Sequence, residues 1–141
     1  MKLEGAETDV LAHDTRAFAS ALPDPAARER FIRLADNAAL GEVPDDLVAT
    51  LETMLELLFE RGRPSNPGVL QSVYAKTPRG RALSVAARDV NRALRALHGQ
   101  VLQEVRISAA PGRHTLTLET DRARVTLELD RAGARVASLE T

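Results

Sequence analysis

Four arginines, Arg81, Arg88, Arg92 and Arg95, recur at intervals of seven, four and three residues within the stretch Thr77 to Gly99. At 100° per residue these intervals place all four in one narrow band along a helix about 30 Å long. A guanidinium group is permanently charged, planar and matched to the geometry of phosphate oxygens, so a row of them has the chemistry to follow a phosphate backbone. Each phosphate neutralised releases counterions, and binding of that kind falls steeply with salt. Almost opposite the arginines, Leu83, Ala86, Ala87, Val90, Leu94 and Leu97 make an apolar stripe. One helix is thus expected to present charge on one side and core on the other.

Catalytic and metal chemistry have no comparable footing. There are no cysteines, which removes disulfides, thiol catalysis and cysteine-based zinc sites. His13, His98 and His114 fall in three different elements, and none has a second histidine at metal-ligand spacing. His98, at a helix end, is suited to satisfying terminal carbonyls. GxSxG, GxxxxGK[ST] and GxGxxG motifs are absent. The pair Asp45-Asp46 fits a helix start, where the dipole favours anions, better than an acid and base. The expectation is a protein that is not an enzyme, with no metal and no cofactor.

Two further stretches point toward nucleic acid. Arg61-Gly62-Arg63-Pro64 resembles the RGRP core of the AT-hook, which lies in the minor groove of A·T-rich DNA; a helix end followed by glycine and proline accounts for the same residues. Asp89 to Leu102, followed by a hairpin tipped by Pro111-Gly112-Arg113, resembles the recognition helix and wing of winged-helix regulators. That resemblance implies Asn91, Arg92 and Arg95 as groove or phosphate contacts and Arg113 as a wing contact. The competing expectation comes from Glu52, Glu56 and Glu60, an acidic row at helical spacing that complements the arginines within one chain or between two copies. Under that reading the protein is an adaptor or a self-associating module, and a homodimer or another protein is its partner.

The elements that must carry these residues follow from punctuation and period. A loose polar start over residues 1 to 7 precedes a helix from Thr8 or Asp9 to about Leu22, burying Val10, Leu11, Phe18 and Leu22 and stopped by Pro23. Asp24-Pro25 opens a second helix, with Phe31, Ile32, Leu34 and Ala38 inward, closed at Leu40-Gly41. A third, Pro44 to Arg61, has Leu47, Leu51, Met54 and Leu58 as its stripe, Val48, Leu55 and Phe59 widening it, and the glutamates opposite. Asn66-Pro67 and Thr77-Pro78 start a short helix and the arginine-striped one. From Gln100 the period changes to two, with runs around Val101 to Ser108, Thr115 to Glu119, Val125 to Asp130 and Arg135 to Leu139. Turns at Pro111-Gly112, Asp121-Arg122 and Ala132-Gly133 are short enough to make neighbouring strands antiparallel.

The 141 residues are therefore expected to form one α+β domain: about five helices, then a four-stranded antiparallel meander packed on the long helix. Charge is segregated along it. Residues 1–60 carry 5 basic and 13 acidic groups, 61–98 carry 8 and 1, and 99–141 carry 6 and 6. No long apolar run and no charged-then-apolar leader occurs, so a soluble, cytoplasmic protein without membrane contact is expected. Arginine outnumbers lysine 17 to 2 alongside abundant alanine, as a GC-rich bacterial genome would produce. The function expected is binding of nucleic acid, DNA in particular, in a regulatory role, with a protein-interaction module as the alternative.

Overall fold

A computed structural model describes residues 1–141, and its elements alternate nowhere: five helices come first and four strands last. The helices are α1 (Ala6–Ser20), α2 (Pro25–Ala39), α3 (Asp45–Arg61), α4 (Pro67–Lys76) and α5 (Pro78–Leu94), the last running into a single 3₁₀ turn, Arg95–Leu97. The strands β1 (Glu104–Ala110), β2 (Arg113–Glu119), β3 (Arg124–Asp130) and β4 (Gly133–Glu140) form an antiparallel meander in the order β1-β2-β3-β4. This is the α+β class expected from the change of period. The chain divides into two compact units, Met1–Arg81 and Ala82–Thr141, with the boundary inside α5.

In the first unit the caps fall where the sequence puts them. The Asp24 side chain accepts from the backbone N–H of Ala26 and Ala27, Asn66 accepts from Val69, and the Thr77 hydroxyl accepts from Gly80. Gly41 closes α2 with a φ of 86°, the left-handed conformation that favours glycine. Leu11, Leu34, Leu47, Leu51, Met54, Leu55, Leu70 and Val73 are sealed into one core.

Three expectations need correction here. Residues 1–3 are not a loose start: Leu3 is buried, and backbone bonds from Leu3 to Gly41 and from Val43 to Met1 make a short antiparallel bridge. The backbone amides would otherwise need water, and the apolar Leu3 side chain supplies the reason to dock. Ile32 is exposed, because the neighbouring Leu34, Ala35 and Ala38 define the inward arc of α2. Phe59 is also exposed, one residue beyond the last core position of α3 at Leu58.

The α4–α5 junction turns in a single residue, Thr77, which is fully buried. Its hydroxyl donates to the Tyr74 carbonyl at 2.7 Å. Gly80 sits so close to that carbonyl that a Cβ there would lie 1.8 Å from the oxygen. Only a residue without a side chain lets the first turn of α5 lie against the last turn of α4.

In the second unit the alternation gives a sheet with two unlike faces. Register places Val105 beside Leu118, Leu116 beside Leu127 and Leu127 beside Val136 on one side. Val90, Ala93, Leu94 and Leu97 of α5 and its 3₁₀ turn cover Leu116, Val125, Leu127, Ala134 and Val136. The helix's apolar contact is therefore shifted toward its C-terminus. Ala93 belongs to it, whereas Leu83 and Ala87 are exposed; Leu83 reaches only the start of β4, where its Cδ2 would lie 2.8 Å from a Cβ on Gly133. Val101, expected in the first strand, lies outside it and is exposed.

Gly80→Ala is expected to lower the thermal midpoint severely, with a cost above about 3 kcal/mol from overpacking against backbone. Gly68→Ala in α4, where the added Cβ meets only Asn66 Oδ1 at 3.8 Å, is expected to be neutral or stabilising by up to about 1 kcal/mol. Circular-dichroism melts of the two variants check both.

Candidate functional site

The acidic row comes first, because its position decides what the arginines face. Glu52 is 4% exposed, not on the solvated side of α3. Its Oε1 accepts from the backbone N–H of Arg79 at 2.8 Å, in the first turn of α5, and its Oε2 lies 3.3 Å from the Arg79 guanidinium. A buried carboxylate is tolerable only with such partners, and here the positive end of a helix dipole adds to them. Val48 and Leu55, four residues before and three after Glu52, mark its place on the apolar arc.

Glu56 extends the same cluster. It accepts from the Tyr74 hydroxyl at 2.8 Å and pairs with Arg79 at 2.9 Å. Burial and then the Glu56 hydrogen bond push the Tyr74 phenol up to about 12. The bond to Glu56 raises Arg79 above its ordinary value. Glu60, one turn further along α3, is exposed and also has a polar interaction of its own. Arg79, absent from the sequence-derived set, is thus the basic partner of Glu52 and Glu56.

The arginines expected to act together are distributed differently. Arg81 is the last residue of the first unit and lines an open cleft of about 610 Å³ with Met1, Lys2, Glu4, Asp45, Val48, Lys76 and Pro78. Beside it, burial acts to raise the Glu7 carboxyl, but bonds from Lys76 and the Glu4 amide, with the Lys76 charge, hold it below the usual range. Arg61 ends α3, and Gly62 follows in extended conformation. Arg63 is exposed in the loop that the buried Asp14 anchors by accepting from the Ser65 amide at 2.9 Å. The RGRP stretch is a helix end with a tethered exit.

Arg88, Asn91, Arg92 and Arg95 are brought together in the second unit, all exposed, on the side of α5 and its 3₁₀ turn away from Val90, Ala93 and Leu94. Arg92 has one exposed partner, Asp89, at 3.7 Å, worth little in water. Arg88 and Arg95 have no carboxylate partner.

Arg113 belongs elsewhere. It shares the polar face of the sheet with Glu128, Asp130, Arg124 and Arg135, opposite the face that α5 covers. There Glu128 joins Arg113 at 3.1 Å and Arg135 at 3.2 Å, Asp130 joins Arg135 at 2.9 Å, and Arg124 bridges Glu119 and Glu140. The Arg135 hydrogen bond holds the Glu128 carboxyl below the usual range against its partial desolvation. The helix arginines and the hairpin arginine therefore lie on opposite sides of the second unit.

No known protein family, no curated protein and no solved structure matches the chain. No helix is long and apolar enough to cross a membrane. The histidines stand apart, with His13, His98 and His114 each exposed. The carbonyl at the end of the helix is met by the Gln100 side chain, which donates to Ala96 at 2.8 Å, rather than by His98.

Tyr74 is the single tyrosine and there is no tryptophan, so phenolate absorbance reports it alone. Its ionisation is expected with a midpoint near 12, moving down in Glu56→Gln. Because the neutral phenol is favoured in the fold, this contribution to stability is complete below about pH 10 and is lost as pH climbs through 12. A native titration centred near 10 would show that the Tyr74–Glu56 bond does not form in solution.

Proposed function

We propose that the chain is a non-enzymatic nucleic-acid-binding protein, regulatory in role and cytoplasmic, that grips phosphate backbone with Arg88, Arg92 and Arg95, with Asn91 beside them. One observation carries the reading. In the second unit the residues from Gly99 to Thr141 hold 6 basic and 6 acidic groups, and the sheet arginines among them are ion-paired, so the positive surplus of that unit rests on α5.

The dimensions are compatible. Arg88 and Arg95 are seven residues apart, about 10 Å along a helix, which spans roughly three phosphates of one strand at about 3.4 Å of duplex axis each. Contacts of this kind fix affinity and leave sequence unread, so the reading assigns general affinity for duplex and names Asn91 as the one side chain beside the row equipped to read a base edge. The small aromatic complement, three Phe and one Tyr, supports duplex over a single strand held by stacking.

A protein-interaction role has its own supporting observation, the uncovered β1 edge of the sheet.

Fluorescence anisotropy with a labelled duplex tests the nucleic-acid reading. Three phosphate contacts predict a plot of log affinity against log salt with a slope of roughly −3. Arg88→Ala/Arg92→Ala is expected to flatten that slope by about 2 while keeping stability within about 1 kcal/mol, since both side chains are exposed. No binding at low salt, or a slope unchanged in the double variant, contradicts the assignment.

A further inference from the structure

Every residue of β1 is exposed, although the strand is fully paired to β2 on one side. Val105 and Ile107 point to the sheet face that α5 covers, yet α5 covers only residues of β2, β3 and β4. They are left 58% and 63% exposed. β1 is also an edge strand, and apart from the mutually paired Glu104 and Arg106 it has little that normally protects one: no proline, no lysine, no bulge. The other edge, β4, is better protected. Its Ala134 and Val136 lie under the helix, its Arg135 is held by Glu128 and Asp130, and a register shift interrupts its pairing.

The charges on β1 identify what fits. Glu104 and Arg106 stand on the polar face two residues apart, 3.2 Å from each other within the strand. An antiparallel pairing of β1 with itself keeps like faces together only when the two-fold axis falls on a residue. With the axis at Arg106, that guanidinium opposes itself. With the axis at Ile107, Glu104 faces Ala110 and Arg106 faces Ser108, so no opposite charges meet. With the axis at Val105, Glu104 of each copy faces Arg106 of the other, and the pair is formed twice. The same register sets Val105 against Val105 on the apolar face, with Gln103 of each copy opposite Ile107 of the other. Backbone ahead of the strand is already drawn along β2, since the Gln103 N–H donates to the Glu119 carbonyl at 2.7 Å.

We propose that β1 is a self-association edge, on which two copies of this chain join antiparallel about Val105 to make a continuous eight-stranded sheet with reciprocal Glu104–Arg106 pairs. The occupant is a second copy because the strand is complementary to itself in charge. The proposal is independent of whether nucleic acid is bound.

Sedimentation velocity across the micromolar range, on the full chain without nucleic acid, tests it. The native chain is expected to shift from monomer to dimer with concentration. Arg106→Glu and Glu104→Arg each set like charges opposite one another twice and are expected to weaken association roughly tenfold. The double exchange Glu104→Arg/Arg106→Glu is expected to restore it. All these side chains are exposed, so melts of the variants should match the native chain. A monomer at every concentration overturns the proposal and leaves the edge to a strand of a different protein. A dimer indifferent to the single exchanges, or not restored by the double one, overturns it as well.

Discussion

The carboxylate of Glu52, buried against the first turn of α5, is the interaction on which the rest of the first unit's polar architecture depends. A charge in that position requires donors, and it receives the Arg79 amide, the Arg79 guanidinium and the end of a helix dipole. Those requirements fix where α5 starts, and Gly80 and Thr77 make the start sterically feasible by admitting the Tyr74 carbonyl. Glu56 then closes the cluster through Tyr74 and Arg79. Two of the three glutamates that read as a complement to the arginine row are thus engaged within their own unit, by a basic residue outside that row.

The second unit obeys a different constraint. Alternation of apolar and polar residues gives a sheet one face for the helix and one for water, and on the watered face the charges are arranged so that each of Arg113, Arg124 and Arg135 has a carboxylate. Exposed pairs of this sort contribute little to stability. Their consequence is electrostatic: they neutralise the sheet and leave the helix as the basic surface. The same economy of helix area leaves β1 uncovered, because one helix is too narrow to shield four strands.

Where the sequence carries local signals, the fold was legible. Asp24-Pro25, Asn66-Pro67 and Thr77-Pro78 each mark a helix start, Gly41 marks an end, and the change from period 3.6 to 2 marks the passage to strands. What escaped depends on tertiary packing. Gly80 is an unremarkable glycine until α4 lies against it, and Glu52 looks like a member of a surface row until α5 arrives over it. Leu83 and Ala87 share the apolar stripe by angle, but both stay exposed, and Leu83 meets only the start of β4 at Gly133. The arginine row itself was legible as a face, yet the division of the chain within α5 assigns Arg81 to the first unit and the others to the second. Arg113 was legible as a polar-face residue by its alternation with Leu116 and Leu118, but its partner Glu128 depends on strand register.

The outward arginines of α5 are the proposed phosphate-binding surface. The most direct measurement is a nitrogen-15 NMR titration of the chain with a short duplex, followed residue by residue. The prediction is that Arg88, Asn91, Arg92 and Arg95 shift in a saturable, salt-sensitive way while Arg113, Arg124 and Arg135 on the far face of the sheet stay still. Shifts concentrated on the sheet arginines or on the first unit, or no shifts at low salt, would contradict it.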